Sequence, residues 1–189
     1  MGEGRAMPPT DKYPLLMRIL HWVRAALIFG LIWAGWTMTR LADEVPAKFA
    51  IFYPNHKQFG ILVLLLGVIH LVIRWRRRGS LPEIPVGLAP WEAKLSHFVH
   101  RAIMVLLILV PLMGYCMSSS FTQSDGVPFF VGNLPELLPK NDAAFAWFQL
   151  IHKIAAYTLL GLVALHIAGA LKHRFLDRRG DTDVLRRMM

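Results

Sequence analysis

Cysteine is nearly absent from this chain: Cys116 is the only one in 189 residues. One thiol cannot form an internal disulfide, so a disulfide scaffold is excluded. No segment recurs at a period of about 20–50 residues, which excludes solenoids and propellers. No tract is of low complexity. Charge is scarce too, at 17% of residues, and acidic residues are the scarcer sign, 12 against 21 Lys and Arg. The resulting net charge of +9 raises nucleic acid as a partner. No nucleic-acid module is present, however, and the placement of the charges points elsewhere. What the chain has in quantity is apolar residues, 55% of the total, gathered in long blocks. With a mean hydropathy of +0.44, this is a membrane composition.

Residues 1–13 are polar, with Gly2, Gly4, Pro8 and Pro9, and read as a flexible N-terminal tail. Met7 is an alternative start. Residues 14–189 read as a single membrane domain with spans at about 19–38, 56–75, 98–117 and 148–171. Each is close to the ~20 residues that cross a bilayer. A cleaved signal peptide competes for the first block. Its apolar part would be shorter, and no small-residue cleavage site stands out after Trp36. Polar loops at 40–55 and 79–90 carry prolines, and the longest loop, 118–146, holds a triple serine and several aromatics. Pro111 lies inside the third span and is expected to kink it, with neighbours satisfying the freed carbonyl. The fold class is therefore all-α, an integral membrane four-helix bundle running up-down-up-down.

The basic residues sort by side. Sixteen of the 21 lie in the two termini, the second loop and adjacent helix ends. Arg40, Lys48, Lys57, Lys140 and Lys153 lie on the other side. The positive-inside rule places both termini in the cytoplasm. Acidic residues divide seven and five, so the inner side carries the whole excess. The basic balance is thus a topology signal, with attraction to anionic lipid as a corollary.

The fourth block carries the chemistry. His152 and His166 lie fourteen residues apart, about 3.9 turns, so both leave one helical face roughly 21 Å apart. Histidine within a span usually faces other helices and serves a function; backbone-bonded core histidine is the competing reading. Neutral imidazole suits iron, and a low-spin haem takes two axial ligands from facing helices. The chain has no C-x-x-C-H sequence, so covalent haem attachment is excluded. On the outer side the histidines are His56 and His152, a natural pair. On the inner side His166 has two possible partners, His21 and His70. His97, His100 and His173 also lie at that end. Gly60, Gly161 and Gly169 lack side chains and serve either as clearance for a porphyrin or as helix contacts. Arg24 is expected to snorkel to the head groups, the alternative being a haem propionate. Lys57 and Lys153 adjoin outer histidines and are read as rimming the outer surface. Trp22, Trp33, Trp36, Trp75, Trp91 and Trp147 lie near span ends, as an aromatic belt would.

RILHW in the first helix, NHKQFGILVLLL in the second and LIHKIAAYTLLGLVALHIAGALKHRF near the end resemble the bacterial cytochrome b561 family. The loop PFFVGNLPELLPKN and the ending DTDVLRRMM fit it as well, so the likeness covers about residues 13–189. The resemblance implies a two-haem b-type cytochrome of the inner membrane. It implies ligation of two haem b by His21 and His166 inside and by His56 and His152 outside. The family often has arginine where this chain has His70, whose role is left among propionate contact, quinone contact and core packing.

Members of similar size act as superoxide:ubiquinone oxidoreductases. The resemblance therefore implies that superoxide, or a protein donor, delivers electrons at the outer haem and ubiquinone takes them inside. Lys57 and Lys153, with Lys48 and Lys140, are placed to steer a small anion; ordinary interfacial lysines beside five acids is the competing reading. His100 and His173 are implied quinone-site residues, with interfacial histidine as the competing reading. The rival function is a haem b membrane anchor that relays electrons between a hydrogenase or dehydrogenase and quinone.

Overall fold

The computed structural model describes residues 12–82, 87–124, 126–177 and 182–189. The expected tail up to residue 11, with the alternative start at Met7, lies outside them, as do parts of the 79–90 loop and of the charged C-terminal tail.

Four long helices form: α1 (Leu15–Arg40), α2 (Tyr53–Arg76), α3 (Pro90–Ser120) and α4 (Asp142–Phe175). Each is long and apolar enough to cross a membrane. All four overrun the expected spans at both ends. The apolar blocks mark only the hydrocarbon part, and the polar residues of the interface remain helical. Local chemistry sets the ends. Pro90 sits in the first turn of α3, where a missing N–H costs nothing. The Glu92 carboxylate accepts from the Ala89 N–H at 3.0 Å. The Asn141 side chain accepts from the Ala143 and Ala144 amides at 2.9 and 3.0 Å, capping α4. Lys172, His173 and Arg174 occupy the last turn of α4, where the helix dipole favours cations.

The loop expected at 40–55 is shorter, because a π-helical turn, Lys48–Phe52, leads into α2. The 118–146 loop is corrected further. Ser118, Ser119 and Ser120 are buried and complete α3. A short antiparallel hairpin follows, β1 (Val127–Phe129) paired to β2 (Gly132–Leu134). Ser119 Oγ accepts from the Leu138 N–H at 3.0 Å, and the Ser120 carbonyl accepts from the Asn141 N–H at 2.8 Å. The serines therefore pin the far end of the loop. At the hairpin turn, Phe130 has φ +40, a left-handed conformation uncommon outside glycine.

Pro111 does not interrupt α3. It deprives the Leu107 carbonyl of its amide partner. Gly67 lets α2 come close there: a Cβ on it would lie 3.1 Å from Ile108 Cδ1 and 3.7 Å from the Leu107 oxygen.

Each helix packs on its chain neighbours, most extensively α3 on α4, while α1 and α4 barely approach by backbone. The centre of the core is one buried residue from each helix, Ile28, Val63, Leu107 and Leu159. Other large side chains face outward, Trp33 at 63% and Val105 at 63% exposure. The six tryptophans are all exposed, as a belt at the bilayer interfaces requires. At the end of the chain a 3-10 turn, Leu185–Met188, lies across the start of α1. The Tyr13 N–H donates to the Arg187 carbonyl at 3.0 Å, and Trp22 Nε1 donates to the Met188 carbonyl at 2.9 Å. Arg174 of α4 binds Asp183. The two ends of the described chain therefore share one end of the bundle.

Candidate functional site

Seven residues are close to two helical turns, a rise of about 10.5 Å. Stepping by seven from the core residues organises the whole interior. On α1 the series is His21, Ile28, Gly35; on α2 it is His70, Val63, His56. On α3 it is His100, Leu107, Gly114, and on α4 His166, Leu159, His152. The bundle thus has three layers: a histidine layer at one end, an apolar layer in the middle, and a layer of two histidines and two glycines at the other end.

The layer at the hairpin end brings the His56 and His152 rings together edge-on. Their ring centroids are 6.2 Å apart with an interplanar angle of 78°. The two glycines back these rings. A Cβ on Gly114 would lie 3.2 Å from both Cε1 and Nδ1 of His152, and one on Gly35 would lie 3.4 Å from His56 Cε1. His152 Nδ1 donates to the Val110 carbonyl at 2.8 Å, which leaves Nε2 as the acceptor for a metal.

The other histidine layer, which also holds the chain ends, places His21 and His166 with centroids 6.2 Å apart at 61°. His100 stands edge-on to His166 at 4.9 Å, and its Nδ1 donates to the Ser96 carbonyl at 2.7 Å. His70 turns elsewhere: it is buried, and its Nδ1 meets Arg24 Nη2 at 3.0 Å. Arg24 is itself only 5% exposed. The expectation that Arg24 snorkels to the head groups is therefore corrected. Its Nε bonds back to the Leu20 carbonyl at 3.1 Å, which keeps the guanidinium inside the bundle. Just beyond this layer, His173 Nδ1 donates to Asp177 Oδ2 at 2.6 Å. That bond holds the Asp177 carboxyl below the usual carboxylate range. His97 is exposed on α3.

The outer lysines are less free than the sequence suggested. Lys48 pairs with Asp43 at 2.5 Å and Lys140 with Glu136 at 2.6 Å. Lys57 Nζ donates to the Gly126 carbonyl at 2.9 Å, which ties α2 to the hairpin. Lys153 is exposed on α4. A Cβ on Gly60, Gly161 or Gly169 would meet nothing within 4 Å, so these are not close helix contacts. The glycines that do touch histidine rings, Gly35 and Gly114, carry the same fourteen-residue signal, lying that far beyond His21 and His100.

The donor set fits haem. Two imidazoles that share a metal at about 2 Å each have centroids roughly 6 Å apart, and both facing pairs meet that spacing. The 4.9 Å contact of His100 with His166 is too close for it. A flat group seated at either pair would also lie between α4 and α1 or α2, where the helices are joined by side chains rather than by close backbone.

The sequence model of the family described as prokaryotic cytochrome b561 matches residues 12–189. Cytochrome b561 homolog 2 of Escherichia coli K12 is 26% identical over 188 residues, covering 95% of this chain and 92% of the relative. Cytochrome b561 homolog 1 of the same organism is 24% identical over 170 residues, covering 89% and 92%.

Proposed function

The chain belongs to the prokaryotic cytochrome b561 family, a multi-pass, haem b electron-transfer protein of the bacterial inner membrane, and from that premise we propose that it carries two haems and passes electrons from superoxide outside to ubiquinone inside. The observation that carries this reading is the repetition of one arrangement, facing imidazoles 6.2 Å apart, in two layers of the same bundle. The layers lie fourteen residues apart on α4, about 21 Å.

Haem b, when bound, supplies reversible one-electron transfer through its iron. His56 with His152, and His21 with His166, would hold the two groups through their imidazoles, and the chemistry supplied there would be outer-sphere electron transfer. Ile28, Val63, Leu107 and Leu159 form the dry layer between them. The Val110 carbonyl fixes His152 in the tautomer that ligates through Nε2. At the inner end His100 and His173 are the residues offered to a quinone carbonyl, and Asp177 orients His173 and receives or returns its proton. Two superoxide ions give two electrons and leave as dioxygen. One ubiquinone takes both electrons with two protons from the inner side. Lys153 and Lys57 are the outer cations nearest the His56–His152 layer in sequence. The positive-inside count supports cytoplasmic termini.

Rapid mixing of the purified, oxidised protein with superoxide tests this function. The expected result is a b-type reduced spectrum formed faster than quinone or medium is reduced spontaneously, with reoxidation on adding ubiquinone. A haem that superoxide leaves oxidised, but that a dehydrogenase or hydrogenase partner reduces, would make the chain a relay subunit instead. A folded protein without haem would overturn both.

A further inference from the structure

Arg24 poses a problem that the ligand assignment does not solve. It lies in the membrane-spanning part of α1, at 5% exposure, and among the described residues no carboxylate pairs with it. Two of its nitrogens are accounted for: Nε by the Leu20 carbonyl and Nη2 by His70 Nδ1. The third, Nη1, is buried and has no partner among the described residues. An unsatisfied N–H costs more on a buried charge than on a buried neutral group. A buried cation is ordinarily paired. Through its bond to Leu20 the guanidinium reaches back along α1 toward the layer of His21 and His166, the inner pair. His70, on the facing helix, has to accept from Arg24 and so is held with Nδ1 unprotonated; it orients the guanidinium without neutralising it.

We propose that Arg24 is the inner haem's carboxylate-binding residue. His70 and the Leu20 carbonyl fix it so that Nη1 meets a propionate, and its charge raises the reduction potential of the inner haem. This rests on the reading of His21 and His166 as a haem site, not on superoxide or ubiquinone being the substrates. The physical argument is one of sign. Reduction adds negative charge at the metal, and a fixed cation in a low-dielectric interior favours that form. Arg24 also offsets a propionate charge that would otherwise disfavour it. Among the described residues, the layer of His56, His152, Gly35 and Gly114 holds no buried unpaired cation; Lys48, buried on the same side, is paired with Asp43. The chain therefore carries a built-in bias that draws the electron from the outer pair to the inner one. It also gives His70 a role as a positioning residue rather than a ligand.

The test is a spectroscopic redox titration in a His56→Ala background, where one haem, at the inner pair, is expected. Arg24→Gln should leave that haem bound and lower its midpoint potential. His70→Leu should lower it in the same direction, while His70→Gln, whose amide oxygen still accepts from Arg24, should restore it. Arg24→Lys keeps the charge and should shift it less than Arg24→Gln. If Arg24→Gln does not fold, the His70 series and Arg24→Lys decide the matter. An unchanged midpoint in Arg24→Gln, or in His70→Leu where Arg24→Gln does not fold, overturns the proposal. Absence of any haem in the His56→Ala protein would instead overturn the inner-site reading on which it rests.

Discussion

Gly114 shows how narrowly single residues shape the outer pair. The His152 ring lies so close to it that a Cβ would fall at 3.2 Å, tighter than packing allows without movement. The ring cannot retreat freely, because Nδ1 is bonded to the Val110 carbonyl at 2.8 Å. Gly114→Val should therefore displace the imidazole and reduce bound haem from two per chain to one, as His56→Ala or His152→Ala would. Gly30→Ala, where a Cβ meets nothing within 4 Å, should keep both, and so should His70→Ala. Haem per polypeptide, measured on the purified variants, checks all of these; full loading of Gly114→Val would refute the packing argument. The histidines were legible in the sequence because fourteen-residue spacing puts two on one helical face. The glycines that matter were not found by looking beside those histidines, where Gly60, Gly161 and Gly169 stand. A ring is backed by the helix opposite, so the signal was on α1 and α3, in Gly35 and Gly114. Arg24 was misread for a related reason: composition shows a charge in a span but not which side of the helix it leaves.

The four helices could be read from apolar blocks, but their ends could not. Ends are set by caps and interfacial turns, which hydropathy does not register. α4 is the clearest case: it begins at Asp142, six residues before the expected span, because Asn141 caps it. Asn141→Ala removes two accepted hydrogen bonds. The expected cost is about 1 kcal/mol, a fall in melting temperature of roughly 2–4 °C for a chain of this size. Thermal unfolding of the detergent-solubilised protein measures it, and Asn141→Asp should retain most of the stability. An unchanged melting temperature for the alanine variant would mean that this cap contributes nothing. The hairpin was illegible for another reason. Its strands are three residues each, one contains Pro128, and no alternation of apolar and polar residues marks them. It holds together through tertiary partners: Phe130 N–H on Gln58 at 3.2 Å, Lys57 on Gly126, and the Phe130 ring against Phe59.

At the scale of the whole molecule, the two ends of the bundle differ in charge and in chemistry. The end that holds His21, His166 and Arg24 also gathers the C-terminal turn, Arg18, Trp22 and the Arg174–Asp183 pair. By sequence, sixteen of the 21 basic residues fall in the two termini, the loop between α2 and α3 and the adjacent helix ends. The sequence revealed that asymmetry without showing that the end of the chain lies across α1, since such a contact joins residues about 170 apart and has no local pattern. The charge count nevertheless carries a firm physical consequence: positively charged flanks resist translocation and stay inside. With an even number of spans, that rule puts both termini on one side and predicts that side to be the cytoplasm, with the His56–His152 layer facing out. A fluorescent reporter joined by a flexible linker after Met189 should therefore mature and fluoresce in living bacteria, while alkaline phosphatase at the same place should stay inactive. Phosphatase inserted after Val131, which stands fully exposed at the hairpin turn, should be active. The opposite pattern would invert the bundle, placing the buried Arg24 at the outer end and reversing the direction in which its charge biases the electron.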